Sequence, residues 1–158
     1  MKLYANEKTF PIIHHKIFIK DENDMDIYEI SSKFRKTTIN DMNENKIAYI
    51  EKKYFSITPN YNIYINNEPI LKIKKINPFE NEYLLSNGCK VTGDFRMLNF
   101  VIYDGKNNQI GNIKRTTKFI SIGGSDKYEI DIIDLTKKEI ILAILVPIAD
   151  YIRKTSSD

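Results

Sequence analysis

The chain has 158 residues, of which 42% are hydrophobic and 28% are charged. This composition is typical of a globular domain and excludes a disordered tail or a chain built mainly for a bilayer. The formal net charge of +3 is too small to indicate nucleic acid or a membrane surface as a partner by itself.

The first twenty residues mix apolar side chains with charges and Pro11, so they lack the continuous apolar stretch of a signal peptide. The single cysteine, Cys89, excludes an intramolecular disulfide, and we interpret it as a small buried residue. Both observations predict a cytoplasmic protein. Ile, Asn and Lys dominate the sequence, which is typical of an AT-rich genome and raises the lysine content without a functional cause.

A short phrase recurs along the chain. It reads IAYIEKK at residues 47–53, ILKIKK at 70–75 and IGNIKR at 110–115, with a weaker version, IYEISS, at 27–32. Residues rich in Asn, Asp, Gly or Pro precede each phrase and are typical of hairpin turns. Further alternating stretches, such as YNIYI at 61–65, follow the phrases. Each repeat therefore predicts two strands joined by a turn, and closure of the hairpins into a barrel would remove exposed strand edges.

The C-terminal segment KKEIILAILVPIADYI, residues 137–152, is apolar on every side of a helical wheel between Ile140 and Ala149. A helix that is hydrophobic all round has to be buried on all sides, and a barrel lumen can bury it. The apolar run is well short of the roughly 20 residues that span a bilayer. Pro147 interrupts one helical hydrogen bond, so a β-strand over residues 139–146 followed by a short helix is the alternative.

The ensemble of these features resembles the LURP-one-related family. The features are a turn, IAYIEKKYFSITPNYNIYIN, a second IKK strand, GDF at 93–95 and a final apolar helix, and the resemblance covers roughly residues 10–152. It implies a mainly β fold, namely a closed antiparallel barrel of about twelve strands around a central C-terminal helix, as in tubby C-terminal domains and phospholipid scramblases. We expect one domain over residues 1–158, with strands over about 10–134 and the helix over about 137–152.

The resemblance also implies a class of function. Tubby domains bind phosphoinositides, and scramblase-like proteins associate with membranes. The residues with which tubby domains bind lipid find no matching motif in this sequence, so none is carried over. A scramblase's cluster of palmitoylated cysteines has no counterpart either, because Cys89 stands alone.

The repeat predicts which residues share a face of the barrel. Alignment of the phrases on their second isoleucine superimposes Ile50, Ile73 and Ile113. The positions two residues earlier are Ala48, Leu71 and Gly111. The positions two residues later are Lys52, Lys75 and Arg115. Side chains alternate with period two along a strand, so all three sets point to the lumen side. Three cations cannot lie unpaired in an apolar lumen, which places the last set at the rim or in ion pairs.

Rim residues from three hairpins could form a concave basic site for phosphate or carboxylate. Four more basic residues would flank that site on the outside: Lys53, Lys74, Lys114 and Lys118. The alternative interpretation is that these lysines are solvated residues that protect strand ends from edge pairing.

Other residues give weaker indications of chemistry. His14 and His15 are adjacent and point to opposite faces of a strand, so they do not share a metal. The acidic run Asp21, Glu22, Asp24 and Asp26 lacks the glycine and distal glutamate of a calcium loop and predicts a hairpin turn. Gly123 and Gly124 are followed by no helix and predict a turn. We expect no catalytic residue, no metal and no cofactor.

The leading hypothesis is a non-enzymatic binding module that recognises anionic lipid headgroups or another anion at its basic rim. An interaction scaffold that binds another protein through some of its 10 tyrosines and 8 phenylalanines is the first alternative. The second is binding of single-stranded nucleic acid by aromatic residues among lysines, as in KKYFSI with Tyr54 and Phe55. The first hypothesis predicts peripheral contact with an anionic phospholipid surface from the cytoplasm.

Overall fold

The computed structural model describes residues 1–9, 14–53, 60–75, 82–93, 98–116 and 127–155, and gives only the backbone at 7–9, 14–15, 70–75, 151 and 153–155. Within these ranges the fold is mainly β, with one 3₁₀ turn and one α-helix. The strands are β1 Lys2–Thr9, β2 His14–Lys20, β3 Asp26–Lys33, β4 Lys36–Asp41, β5 Lys46–Lys52, β6 Asn60–Ile65, β7 Glu68–Lys75, β8 Glu82–Leu85, β9 Lys90–Gly93, β10 Asn99–Tyr103, β11 Gln109–Arg115 and β12 Lys127–Ile132. The 3₁₀ turn Leu135–Lys137 and the helix α1 Lys138–Thr155 follow.

The strands pair in chain order and the order then closes on itself. Each strand is antiparallel to the one before and the one after it, and β1 pairs with β12, with Leu3 opposite Ile130. The pairings form a closed ring, which confirms the predicted barrel of about twelve strands. The first strand begins at Lys2, before the predicted start near residue 10, because β1 carries alternating Leu3 and Ala5 without the repeated phrase.

One face of each strand with described side chains is buried. The pattern alternates strictly in β6, β10 and β12, as expected for strands with one face against a core. The predicted lumen positions follow this phase: Ala48, Ile50 and Ile113 are at most 1% exposed, and Gly111 is buried. Leu71 and Ile73 lie where only the backbone is described.

The helix fills the lumen. All residues from 141 to 149 are buried, and this run exceeds two helical turns, so it covers every side of the helix. The predicted helix over 137–152 is confirmed, with its end displaced to Thr155, and the alternative strand over 139–146 is wrong. The helix continues through Pro147. Its all-round burial is compatible with one missing hydrogen bond because packing, rather than helix propensity, stabilises it.

The direction of the helix follows from three contacts. Lys138 Nζ lies 5.6 Å from the ring centroid of Tyr28, near the beginning of β3. A Cβ added at Gly111, near the beginning of β11, would lie 3.0 Å from Ile141 Cδ1. At the other end of the helix, Tyr61 donates a hydrogen bond to Asp150 Oδ2 at 2.7 Å. The helix therefore runs in the same direction as the odd-numbered strands.

All odd-numbered strands run in one direction because every pairing is antiparallel. The odd-numbered strands begin at one end of the barrel, which we call the acidic end. They finish at the other, which we call the basic end, and both names refer to the charges described below. The turns 21–25, 42–45, 66–67, 86–89 and 104–108 lie at the acidic end, and the turn 34–35 lies at the basic end. The C-terminal half of the helix points to the basic end.

Candidate functional site

Three hairpins at the acidic end share one turn, which begins with an aspartate: Asp21, Asp41 or Asp104. In each turn one carboxylate oxygen accepts hydrogen bonds from the backbone N–H groups two and four residues ahead, at 2.8–2.9 Å. The residue three places after the aspartate has a positive φ of 63° or 64°. The pKa of all three carboxyl groups is lowered, chiefly by the hydrogen bond from the Met25 N–H at Asp21 and by the side-chain amides of Asn45 and Asn108 at Asp41 and Asp104. These three carboxylates are thus occupied within their own turns, as the hairpin-turn interpretation of Asp21 predicts.

Among the residues that the structure describes, cations outnumber carboxylates at the basic end. At or next to the strand termini of this end, the described residues include the cations Lys33, Arg35, Lys36, Lys52, Lys53, Lys74, Lys75, Lys114, Arg115 and Lys127. The carboxylates there are Glu51, Glu82 and Asp150. At the acidic end the balance is reversed by residues such as Asp21, Glu22, Asp24, Asp26, Asp41, Glu44, Glu68 and Asp104. The barrel therefore carries a charge asymmetry along its axis, which a net charge of +3 conceals.

The hairpin between β3 and β4 projects from the basic end. Phe34 and Arg35 form its two-residue loop, and Lys33 pairs with Lys36 at the base of the loop. Phe34 has a φ of 56° and is 81% exposed, the largest exposed fraction among the described large hydrophobic side chains. A positive φ at the first loop residue alone is the pattern of a type II′ turn, in which glycine is the usual residue.

A cleft of about 590 Å³ lies against this hairpin. Its lining residues are Ser31, Lys33, Phe34, Arg35, Lys36, Thr38, Tyr49, Glu51 and Lys52. The volume is within the range of small-ligand sites, roughly 300–1,000 Å³. Four of the lining side chains are cations and one is a carboxylate, so the cleft favours an anion.

Lys52 connects this cleft to the central helix. Its Nζ forms an ion pair with Asp150 of α1, and Tyr61 donates to the same carboxylate oxygen at 2.7 Å. The backbone N–H of Lys52 donates to the Arg35 carbonyl at 2.9 Å, which fixes the 33–36 hairpin to β5. The side chains of Lys52 and Asp150 are 21% and 24% exposed, so the pair is largely shielded from water.

The three predicted rim residues occupy one end of the barrel but not one side of it. Lys52, Lys75 and Arg115 stand at the finish of β5, β7 and β11. In the ring, β5 and β7 both adjoin β6, whereas β11 lies opposite β5. Twelve strands at their usual spacing make a ring roughly 20 Å across. A ligand that contacts both Lys52 and Arg115 must therefore span the opening of the barrel at its basic end, which we call the mouth.

The flanking predicted residues are described to different extents. Lys53 and Lys114 are exposed at the basic end. The backbone of Lys74 and Lys75 is placed in β7, next to Leu84 and Tyr83 of β8, but their side chains lie outside the described residues, as does all of Lys118. Lys33, Phe34, Arg35 and Lys36 were not predicted from the sequence. The signal that could have found them is the run KFRK between two alternating stretches.

The remaining sequence candidates are described only in part. Cys89 is 4% exposed, and its burial raises the pKa of the thiol. His14 and His15 lie in β2, but their side chains are outside the described residues, as are Tyr54, Phe55, Gly123 and Gly124 entirely. Within the part of the chain that the structure describes, no three His, Cys, Asp or Glu side chains are grouped to hold a metal ion.

The family model of the LURP-one-related proteins matches residues 1–149. The chain belongs to the LURP-one-related family. The match covers nearly the whole barrel and most of its central helix, which confirms the resemblance seen in the repeated phrases. No curated protein and no solved structure matches this LURP-one-related chain. Among the described residues, none of the helices has the length and apolar character needed to cross a bilayer.

Proposed function

We propose that this LURP-one-related domain is a non-enzymatic binding module for phosphate-bearing anions, above all anionic lipid headgroups, at the basic end of its barrel. The observation that carries the proposal is the cleft beside the 33–36 hairpin, whose lining contains the cations Lys33, Arg35 and Lys36, the Asp150-paired Lys52, and one carboxylate, Glu51. A concentration of cations in a concave site favours an anion through charge-assisted hydrogen bonds.

The types of basic residue in the cleft support phosphate as the recognised group. The planar guanidinium of Arg35 can form two parallel hydrogen bonds to one phosphate, whereas Lys33 and Lys36 act as point charges. Hydroxyl groups of Ser31, Thr38 and Tyr49 line the same cleft and can donate further hydrogen bonds.

The other cations of the basic end have a long-range role in this proposal. Lys53 and Lys114, with the strand-end residues Lys75 and Arg115, surround the mouth. Together with Lys74 and Lys118 they would raise the local concentration of anions without contacting one ligand at the same time. The acidic residues at the opposite end would orient the approaching domain so that the basic end meets the anion first.

The test is binding of two soluble probes, inorganic phosphate and inositol 1,4,5-trisphosphate, to the full chain by calorimetry and by NMR amide shifts. The double variant Lys33→Gln, Lys36→Gln should weaken binding of the trisphosphate by roughly tenfold or more, because two charged contacts are lost. The matched control Lys46→Gln, Lys106→Gln removes two exposed lysines at the acidic end and should leave the affinity within about twofold of wild type.

Equal losses in the two double variants would contradict a located site. Absence of binding by the wild-type chain to either probe would contradict the proposal as a whole. That second result would favour the protein-interaction scaffold, for which the exposed Met25 and Met42 at the acidic end are available.

A further inference from the structure

Phe34 lines the cleft but is too exposed for a small soluble anion to cover its ring. It forms the tip of a two-residue loop at the basic end and is 81% exposed. Single exposed apolar side chains are normal on monomeric proteins, but Phe34 combines the largest exposed fraction of the described large hydrophobic side chains with a backbone φ that disfavours a bulky residue. A phosphate bound in the cleft would contact the cations and leave most of this ring in water.

The backbone holds the ring in this position at a conformational cost. The φ of 56° at Phe34 is disfavoured for a bulky residue, and glycine is the usual choice at the first position of this turn. The pairing of Lys33 with Lys36 and the hydrogen bond from Lys52 N–H to the Arg35 carbonyl fix the loop on both sides. Strained positions that the surroundings hold in place are concentrated at functional sites.

The charges around the ring are arranged in an unfavourable way for the free protein. Lys33 and Lys36 stand directly opposite each other in the last pair of the hairpin, and both are exposed. Like charges directly opposite in a strand pair destabilise it. An anionic surface would relieve this repulsion at the same time as it covered Phe34.

We propose that residues 33–36, the insertion hairpin, dock the domain on an anionic phospholipid bilayer. Phe34 inserts at the boundary between headgroups and acyl chains, while Lys33, Arg35 and Lys36 contact lipid phosphates. The pairing of an apolar ring with basic neighbours is the two-signal arrangement that peripheral membrane binding requires. The acidic end points away from the bilayer. This inference rests on the proposed anion binding and names the surface that supplies the anion.

A bilayer fits these observations better than a folded protein partner. The hairpin ends in a two-residue loop with one exposed aromatic ring, whereas protein interfaces bury a broader area with a fully desolvated centre. The charge asymmetry of the barrel also suits an extended anionic plane, which attracts all of the basic end at once.

The chain contains no tryptophan, which allows a direct test. The variant Phe34→Trp has a single tryptophan at the tip of the insertion hairpin. On vesicles of phosphatidylcholine with phosphatidylserine, its emission should shift to the blue and be quenched by lipids brominated along the acyl chain. The matched variant Met42→Trp places the reporter on an exposed hairpin tip at the acidic end and should show neither change.

Co-sedimentation of the full chain with the same vesicles measures the contribution of the ring. Phe34→Ser should lower the partition coefficient by roughly tenfold or more, Phe34→Leu should retain most of it, and the control Met42→Ser should retain all of it. Binding should fall steeply with salt and should be weak on vesicles of phosphatidylcholine alone.

The outcomes separate this inference from the proposed anion binding. Phe34→Ser should lose vesicle binding by a much larger factor than trisphosphate binding, because the ring lines the cleft but the cations that hold the anion remain. Wild-type binding of the trisphosphate without binding of phosphatidylserine vesicles, or an unshifted Phe34→Trp emission on vesicles, would overturn the insertion hairpin and leave anion binding standing. Equal losses of both activities in Phe34→Ser, although the variant is folded, would also overturn insertion, because the ring would then act only as part of the anion site.

Discussion

The two ends of the barrel use their charged residues in different ways. At the acidic end, Asp21, Asp41 and Asp104 turn their carboxylates back onto the amides of their own hairpins. At the basic end, the hairpin that carries Lys33 and Lys36 directs its charges to solvent and holds Phe34 in a conformation that glycine prefers. Exposure alone does not distinguish these ends. The three aspartates are hydrogen-bonded within their own turns, whereas Lys33 and Lys36 are exposed opposite each other.

The central helix joins the two ends, so its packing at the acidic end should give the largest effect on stability. At Gly111 an added Cβ would lie 3.0 Å from Ile141 Cδ1 and 3.2 Å from the Asp131 carbonyl oxygen. We expect Gly111→Leu to lower the free energy of unfolding by about 3 kcal/mol, through overpacking against the helix, measured by urea denaturation.

Gly105→Ala is the control for that substitution, because a Cβ at Gly105 meets its nearest atom at an ordinary 3.7 Å. It should change the free energy of unfolding by less than about 1 kcal/mol. A Gly111→Leu protein as stable as Gly105→Ala would show that the lumen has room that the structure does not contain.

The ion pair between Lys52 and Asp150 shows that a cation at the basic end is bound within the chain, as the three aspartates are at the acidic end. Asp150→Ala removes the acceptor of both Lys52 and Tyr61 and should lower the free energy of unfolding by about 1–2 kcal/mol. Asp150→Asn should cost less, because it keeps an acceptor for Tyr61.

The same Asp150→Asn variant tests whether the ion pair with Asp150 keeps Lys52 from binding an anion. Release of Lys52 should strengthen binding of inositol 1,4,5-trisphosphate by roughly two- to fivefold, since one more charge faces the cleft. Weaker binding than wild type would mean that Asp150 positions Lys52 for the ligand instead of competing with it.

The turns at the acidic end should make stability depend on pH. The pKa values of Asp21, Asp41 and Asp104 are lowered from 3.8 in the folded state, so the unfolded chain takes up protons first as the pH falls. Their contribution to stability should be complete above about pH 5 and lost progressively as the pH falls below about 4.

The triple variant Asp21→Asn, Asp41→Asn, Asp104→Asn should therefore show a lower Tm at neutral pH and a smaller fall in Tm between pH 5 and pH 3. The control neutralises exposed carboxylates that are not the first residue of such a turn, Glu22, Asp26 and Glu68. The same pH dependence in both triple variants would show that net charge, and not the turn hydrogen bonds, sets the acid response.

The smallest effect should come from Phe34→Gly. Relief of the positive φ is opposed by the greater freedom of glycine in the unfolded chain, so we expect stabilisation below about 1 kcal/mol. Asn67→Gly at another positive φ should change stability less, because asparagine tolerates that region. Phe34→Gly should lose vesicle binding while it gains or keeps stability. Clear destabilisation would show that the ring supports the fold.

Much of the architecture could be predicted because its causes are local or periodic. The aspartate carboxylates of the turns accept hydrogen bonds from backbone amides within four residues. The segments DENDM, DMNEN and DGKNN can therefore be recognised as turns from the sequence. The alternation that places Ala48, Ile50 and Ile113 in the lumen is likewise a pattern of period two. The closed twelve-strand ring was predicted through the family resemblance, since no local signal specifies that β1 pairs with β12.

The candidate site was less accessible to prediction for two physical reasons. Lys52 and Asp150 are 98 residues apart, and nothing in either segment indicates the other as a partner. The insertion hairpin contains neither Gly nor Asn. A turn at Phe34 and Arg35 is therefore not predicted by the residue preferences that identify the other hairpin turns. A residue that violates its local preference is recognised only when the backbone angle is known.

The pairing of β1 with β12 has a consequence during synthesis on the ribosome. Leu3 meets Ile130 only after more than 120 intervening residues have emerged, and the apolar wall of the lumen stays uncovered until residues 141–149 follow. A nascent chain in this state exposes two open strand edges and an unfilled core, the features that lead to aggregation and call for chaperones. The helix that follows β12 is therefore the segment that completes the core and ends this vulnerable period.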